Sequence, residues 1–144
     1  MNILVSACLL GMNCRYDGSH NYCPELEKLM EEHILIPVCP ERRGGLDIPR
    51  EPAERQGDRI IARDGTDVTD AYIRGAQETL RLAKEYDCRY AIFKERSPSC
   101  GAGVIYDGNF SHTRVPGDGM TTQLLRANGI IVLGESQISA LLHK

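Results

Sequence analysis

The sequence contains no Trp and only two Phe among its 144 residues. With so few large aromatic rings, the hydrophobic core has to be built mainly from Ile, Leu and Val side chains. The hydrophobic fraction of 42% and the charged fraction of 26% are ordinary for a globular protein. A chain of this length can bury a core that does not depend on disulfides. We therefore expect one domain that spans residues 1–144.

An excess of basic residues and long apolar runs are also missing. The formal net charge is −3 and the pI is about 5.8, whereas a dedicated nucleic-acid-binding protein usually carries a strong positive field. No run approaches the roughly 18 apolar residues of a membrane span, and residues 1–5 lack the features of a signal peptide. These absences predict a cytoplasmic protein without membrane contact. The oligomeric state stays unknown.

The sequence has six cysteines but no Cys-x-x-Cys pattern. This absence argues against a zinc ribbon and against a thioredoxin-type redox pair. Disulfides are rare in the cytoplasm, so the cysteines are expected to be metal ligands, nucleophiles or small buried side chains. A zinc site of Cys and His has no support from the spacing of the scattered His20, His33, His112 and His143.

Short apolar segments alternate with helical patterns along the chain. Central strands are predicted at residues 3–6, 34–38, 89–93 and 130–133, with further short strands at 59–62 and 103–106. Helices are predicted from Pro24 to about His33, from Asp67 or Thr69 to about Tyr86, at 120–127 and after Ser136. Residues 40–58 are predicted to form a long loop. This alternation predicts an α/β fold with a mostly parallel central sheet flanked by helices, a Rossmann-like three-layer arrangement.

Three cysteines follow predicted central strands. Cys8 and Cys39 come at the ends of the first two strands, and Cys100 lies in the loop after the third. Ligands of parallel sheets bind beyond the carboxyl ends of the strands, so these thiols are expected to converge. A site of thiolates alone favours an iron–sulfur cluster or zinc.

The other three cysteines have no such position. Cys88 lies between a helix and a strand, where a small buried side chain is the expected role. Cys14 and Cys23 lie in the loop that follows the first strand, and nothing in the sequence places them at the site.

Five motifs, taken together, resemble one small prokaryotic family, the iron–sulfur thiouracil desulfidases, long known only as a domain of unknown function. They are Ser-Ala-Cys-Leu-Leu-Gly at 6–11, Arg-Tyr-Asp-Gly at 15–18, Val-Cys-Pro-Glu at 38–41, Lys-Glu-Arg-Ser-Pro-Ser-Cys-Gly at 94–101 and Val-Pro-Gly-Asp-Gly at 115–119. The match runs in order over nearly the whole chain, and the Ser-Pro-Ser-Cys-Gly segment is its most specific part.

The resemblance implies a [4Fe-4S] cluster on three cysteines, which correspond here to Cys8, Cys39 and Cys100. It also implies a glutamate and a serine beside the cluster, at Glu41 and Ser97. Candidate substrate-binding residues in the matching segments are Arg15, Tyr16 and Lys94. Cys14 departs from the family pattern, because an aliphatic residue is expected at that position.

The implied activity is the non-redox desulfuration of a thiolated pyrimidine, such as 2- or 4-thiouracil as a base or nucleoside. An open iron is expected to polarise the C=S bond, with Glu41 as general base and Ser97 positioning the substrate or relaying a proton. RNA is a less favoured substrate because the chain is acidic. Two alternatives stay open, a cluster-containing redox or sulfur sensor and a zinc-stabilised binding module. An exposed iron also predicts sensitivity to oxygen.

Overall fold

The computed structural model describes residues 1–142. Its strands and α-helices follow in the order β1 (Asn2–Ser6), α1 (Leu26–Met30), β2 (Ile34–Val38), α2 (Pro40–Arg43), β3 (Ala53–Gln56), β4 (Arg59–Ala62), α3 (Thr69–Glu85), β5 (Tyr90–Phe93), β6 (Val104–Tyr106), β7 (Arg114–Pro116), α4 (Met120–Ala127), β8 (Ile131–Gly134) and α5 (Ser139–Leu142). His143, one of the four scattered histidines, lies outside the described residues.

The central sheet has four parallel strands in the spatial order β2-β1-β5-β8. β2 occupies an edge, which suits Pro37 because proline cannot donate a hydrogen bond to a neighbouring strand. β1 and β5 are buried on both sides and consist largely of apolar residues. The predicted mostly parallel α/β fold is confirmed.

Successive residues of β1 point to opposite faces of the sheet and enter different hydrophobic clusters. Ile3 and Val5 pack in one cluster with residues of α1 and α5. Leu4 packs in the other with Leu82 of α3 and Leu125 of α4. Helices therefore cover both faces, as the three-layer prediction requires.

The long loop predicted at 40–58 is wrong in part. It contains α2, a single turn that begins with Pro40 in a favoured first position, and β3, which pairs antiparallel with β4. A four-residue helix is too short to show a hydrophobic period, so periodicity could not predict it. The predicted strand at 103–106 pairs with β7 in a separate hairpin and does not extend the central sheet.

The helical spacing of Ile73, Ala76, Leu80 and Ala83 predicts the buried face of α3, and the structure differs from that prediction in part. Ile73 is 39% exposed, whereas Tyr72, Ala76 and Ala83 are buried. The reason is close packing of α3 on α2, where a Cβ on Gly75 would lie 1.9 Å from the Pro40 carbonyl oxygen. Small residues therefore define the packed face. At the C-terminus, Ser136 lies inside a 3₁₀ turn, Glu135–Gln137, and does not cap α5.

No helix within residues 1–142 has the length and hydropathy needed to cross a bilayer.

Candidate active site

The three cysteines that follow central strands line one cavity of about 360 Å³. Cys8 lies in the 3₁₀ turn Ala7–Leu10 directly after β1, and Cys39 lies between β2 and α2. Cys100 lies in the loop after β5 and is only 4% exposed. The cavity is thus at the carboxyl edge of the sheet, where the sequence predicts it.

The same cavity is lined by the other residues that the sequence singles out, which are Glu41, Ser97, Arg15, Tyr16 and Lys94. Their roles stay predictions. Cys88 is buried in the hydrophobic cluster that includes α3 and α4, as expected for a small core side chain. Cys23 packs in the cluster on the other face of the sheet.

Cys14 reaches the cavity, which the sequence did not predict. Its interactions with the Cys39 and Cys8 thiols raise the pKa of Cys14, and the Cys39 thiol lies 3.8 Å from the Cys14 carbonyl oxygen. The hydrogen bond from Cys14 lowers the pKa of Cys39 to about 7 and also lowers the pKa of Cys8. This part of the site favours thiolates.

Cys100 has a drier environment. Burial raises the pKa of its thiol, against hydrogen bonds from Ser6 and Ser99 that lower it. The Ser99 Oγ lies 3.5 Å from the Cys100 Sγ. A buried thiol of this kind becomes a thiolate readily only when a positive partner such as a metal compensates its charge.

The Glu41 carboxylate is held by two side chains that come from separate segments. Arg50 forms an ion pair with its Oε2, and the Ser99 hydroxyl donates to its Oε1 at 3.2 Å. Tyr72 of α3 lines the same cavity, and burial raises the pKa of its hydroxyl. The side chains of Arg50 and Glu41 are only 9% and 15% exposed, so the carboxylate has a fixed position.

The Ser97 hydroxyl stabilises the turn that carries Cys100. It accepts hydrogen bonds from the backbone N–H groups of Ser99 and Cys100, each at 3.1 Å, and it lies 3.0 Å from the Ser99 Oγ. Ser97 is therefore linked to Glu41 through Ser99.

The three candidate substrate-binding residues have different surroundings. Lys94 Nζ is 2.7 Å from Glu135 Oε1, so its charge is already paired. Arg15 Nη1 is 3.4 Å from Ser19 Oγ, and its guanidinium lies 5.6 Å from the centre of the Tyr16 ring. Arg15 and Tyr16 are thus the more available of the three for a ligand.

Sequence reasoning missed Arg50, Tyr72 and Ser99. Arg50 lies in a Pro- and Gly-rich segment, where no periodicity marks it, and Tyr72 belongs to a face of α3 that the pattern did not select. Ser99 could have been predicted as a site residue, because it directly precedes Cys100 in the sequence.

The donor set fits a metal cluster better than a single ion. Within residues 1–142, no three His, Cys, Asp or Glu side chains are arranged to hold one metal ion. Thiols from three strand ends instead surround a common cavity, which suits a larger group with thiolate ligands.

A family model and two relatives match nearly the whole chain. Residues 3–137 match the family model described as 2-thiouracil desulfurase. The chain belongs to the 2-thiouracil desulfurase family. This membership confirms the predicted family and the prediction of an enzyme. The family match itself assigns no role to individual residues of the site.

Two relatives extend over nearly the whole chain. The chain is 43% identical over 150 residues to the uncharacterized protein YbbK of Bacillus subtilis strain 168, which covers 97% of this chain and 99% of that protein. A solved structure of the [4Fe-4S]-dependent thiouracil desulfidase TudS is 46% identical, with a TM-score of 0.93, and covers 97% of this chain and 94% of that one. The cofactor of TudS is the one that the sequence predicts here.

Proposed function

We propose that this protein converts a thiolated pyrimidine to the oxo form without net electron transfer. The observation that carries the proposal is the shared cavity, in which the thiols of Cys8, Cys39 and Cys100 meet a fixed carboxylate in a chain of the 2-thiouracil desulfurase family. The substrates we propose are 2- or 4-thiouracil as a free base or nucleoside. A volume of about 360 Å³ is within the range of small-molecule sites.

We assign the [4Fe-4S] cofactor to Cys8, Cys39 and Cys100. When bound through these three thiolates, the cluster supplies an iron that can accept the soft sulfur of the substrate and polarise its C=S bond. Cys14 is left out of the ligand set, because three thiolates suffice and its interactions with Cys39 and Cys8 raise the pKa of its thiol.

Glu41 is the proposed general base. Arg50 and Ser99 each hold one of its two carboxylate oxygens, so the side chain needs no rearrangement before it takes a proton from water. That water then adds to the ring carbon that carries sulfur. The C–S bond breaks as the carbonyl forms, and the sulfur leaves at the sulfide level with the two protons of the water, so thiopyrimidine and water give oxo pyrimidine and hydrogen sulfide without an oxidant or a reductant. A positioned acid–base group typically accelerates a reaction by about 10²–10⁴-fold.

Ser97 is proposed to orient the substrate or to relay a proton. Its hydroxyl contacts Ser99 Oγ at 3.0 Å, and Ser99 in turn contacts Glu41. The three groups form a hydrogen-bonded chain along the cavity wall, which gives a proton a route between Glu41 and Ser97. Arg15 and Tyr16 are proposed to contact the substrate farther along the same wall.

The proposal is tested by purifying the protein without oxygen and following the thione absorbance of a panel of thiopyrimidines. We expect the parent protein to consume at least one of them. Glu41→Gln keeps the size of the side chain but cannot take a proton, so it should retain its iron and react about 10²–10⁴-fold more slowly. A protein with a full cluster that releases no sulfide from any thiopyrimidine would instead support the sensor alternative.

A further inference from the structure

Phe110, at the turn between β6 and β7, has a backbone conformation that is unusual for a bulky residue. Four non-glycine residues in the described chain have positive φ angles, and three of them line the cavity: Arg96 (67°), Phe110 (56°) and His112 (60°). Such conformations are unfavourable for side chains with a Cβ and concentrate at functional sites. The surrounding structure therefore keeps this turn, which lines the cavity, in a backbone conformation that its residues do not favour.

A second hairpin holds this turn in place. The Glu54 carboxylate, on β3, accepts hydrogen bonds from the backbone N–H groups of Gly108 at 3.0 Å and of Phe110 at 3.2 Å. The Gln56 side chain donates to the Gly108 carbonyl at 2.8 Å. Because Glu54 belongs to another hairpin, these bonds fix Phe110 relative to the rest of the cavity.

The ring of Phe110 is an apolar group in a charged cavity. Five cationic and four anionic side chains line the same space, and the Arg63 guanidinium lies 5.7 Å from the centre of the ring. Phe110 is the one phenylalanine in the described lining, and unlike the three tyrosines there it has no hydroxyl to bond. A flat apolar ring in such a position suits the face of another flat ring.

We propose that Phe110 is a specificity-determining residue whose ring stacks on the face of the pyrimidine substrate, with the Arg63 cation holding the ring in place. The inference rests on the proposed function and adds to it how the heteroaromatic ring is selected. Stacking between a base and an aromatic side chain is tolerant of ring substituents, so the same contact serves 2- and 4-thiolated rings. Phe110 acts on binding and not on the proton transfers at Glu41.

The test compares uracil with 5,6-dihydrouracil, which keeps the polar groups but is not aromatic. Dissociation constants are measured by calorimetry on the cluster-loaded protein without oxygen, for the parent, Phe110→Tyr and Phe110→Leu. The parent and the Tyr variant should bind uracil more tightly than the dihydro compound. In the Leu variant uracil affinity should fall about tenfold or more and the preference should disappear. With thiouracil, KM should rise and kcat should change little.

Tyr86→Leu is the matched control, because this ring is 46% exposed and lies on α3's C-terminal end, outside the cavity lining. Iron content and thermal unfolding of each variant are measured beside binding. If Phe110→Leu does not fold, the parent protein still tests the inference. Equal affinity of the parent for uracil and 5,6-dihydrouracil would overturn it. An unchanged preference in a folded Phe110→Leu also overturns it, while the proposed function stands. A parent that consumes no thiopyrimidine fails the proposed function and with it this inference.

Discussion

The hydroxyl oxygen of Ser99 lies 3.2 Å from Oε1 of Glu41, although 58 residues separate them in the sequence. Ser99 precedes Cys100, and Glu41 follows Cys39 by two residues. The contact therefore joins the two loops that carry these cysteines. Since Arg50 binds the other carboxylate oxygen, the pair contributes both to the shape of the thiol cavity and to the position of the proposed base.

Ser99→Ala should slow desulfuration about 10- to 100-fold, because a hydrogen bond to a charged group is worth about 1.5–3 kcal/mol. The three proposed thiolate ligands remain, so the iron content should equal that of the parent. Steady-state rates and iron analysis check both points. The control is Ser139→Ala, which removes an exposed hydroxyl on α5, outside the cavity lining. Equal rates for the two variants would remove Ser99 from the site.

Arg50→Met should destabilise the fold by about 3–5 kcal/mol, because it leaves the largely buried Glu41 carboxylate without its cation. The variant also loses the hydrogen bond from Arg50 to the Cys14 carbonyl, which is 3.0 Å long. Arg42→Met is the matched control, since its ion pair with Asp47 spans 3.9 Å and is mostly exposed. Urea unfolding without oxygen measures both variants. Similar midpoints would show that the Arg50 pair adds little to stability.

Gly75→Ala tests whether contact between α2 and α3 sets the position of Glu41. The new Cβ would lie 1.9 Å from the Pro40 carbonyl oxygen, whereas real Cβ contacts under 3.0 Å essentially never occur. The helices must separate by about 1 Å, and overpacking of this kind costs about 1–3 kcal/mol. We expect a lower melting temperature and slower desulfuration. Gln77→Ala, on the exposed side of α3, should keep parental values, and a Gly75→Ala variant that matches it would contradict the packing argument.

Alternating strands and helices were enough to predict the parallel sheet and the edge at which Cys8, Cys39 and Cys100 gather. The partners of Glu41 could not be predicted in this way. Arg50 and Tyr72 reach it only through tertiary packing, and the small residues that bring α3 close to α2 obscure the hydrophobic period that marks a buried face. Cys14 was missed because no pattern fixes the path of the loop on which it lies. Phe110 depends on contacts between two hairpins, one of which includes the unpredicted β3.

The cysteine assignment predicts two classes of variant. Ser at Cys8, Cys39 or Cys100 should sharply lower the iron content, because each replaces one of three thiolates. Cys88→Ser and Cys14→Ser should keep iron, since Cys88 is in the core and Cys14 is not a proposed ligand. Iron and acid-labile sulfide analysis of protein purified without oxygen checks this. Loss of iron from Cys14→Ser together with its retention in Cys39→Ser would show that the ligands are assigned wrongly.

We propose that desulfuration proceeds without net electron transfer, and the stoichiometry of the reaction decides this. Cluster-loaded protein is incubated under argon with a thiopyrimidine in the absence of any electron donor or acceptor, and oxo product and sulfide are quantified over many turnovers. We expect one oxo pyrimidine and one sulfide for each thiopyrimidine consumed. A reaction that stops after one equivalent, or continues only when a reductant or oxidant is added, would contradict it.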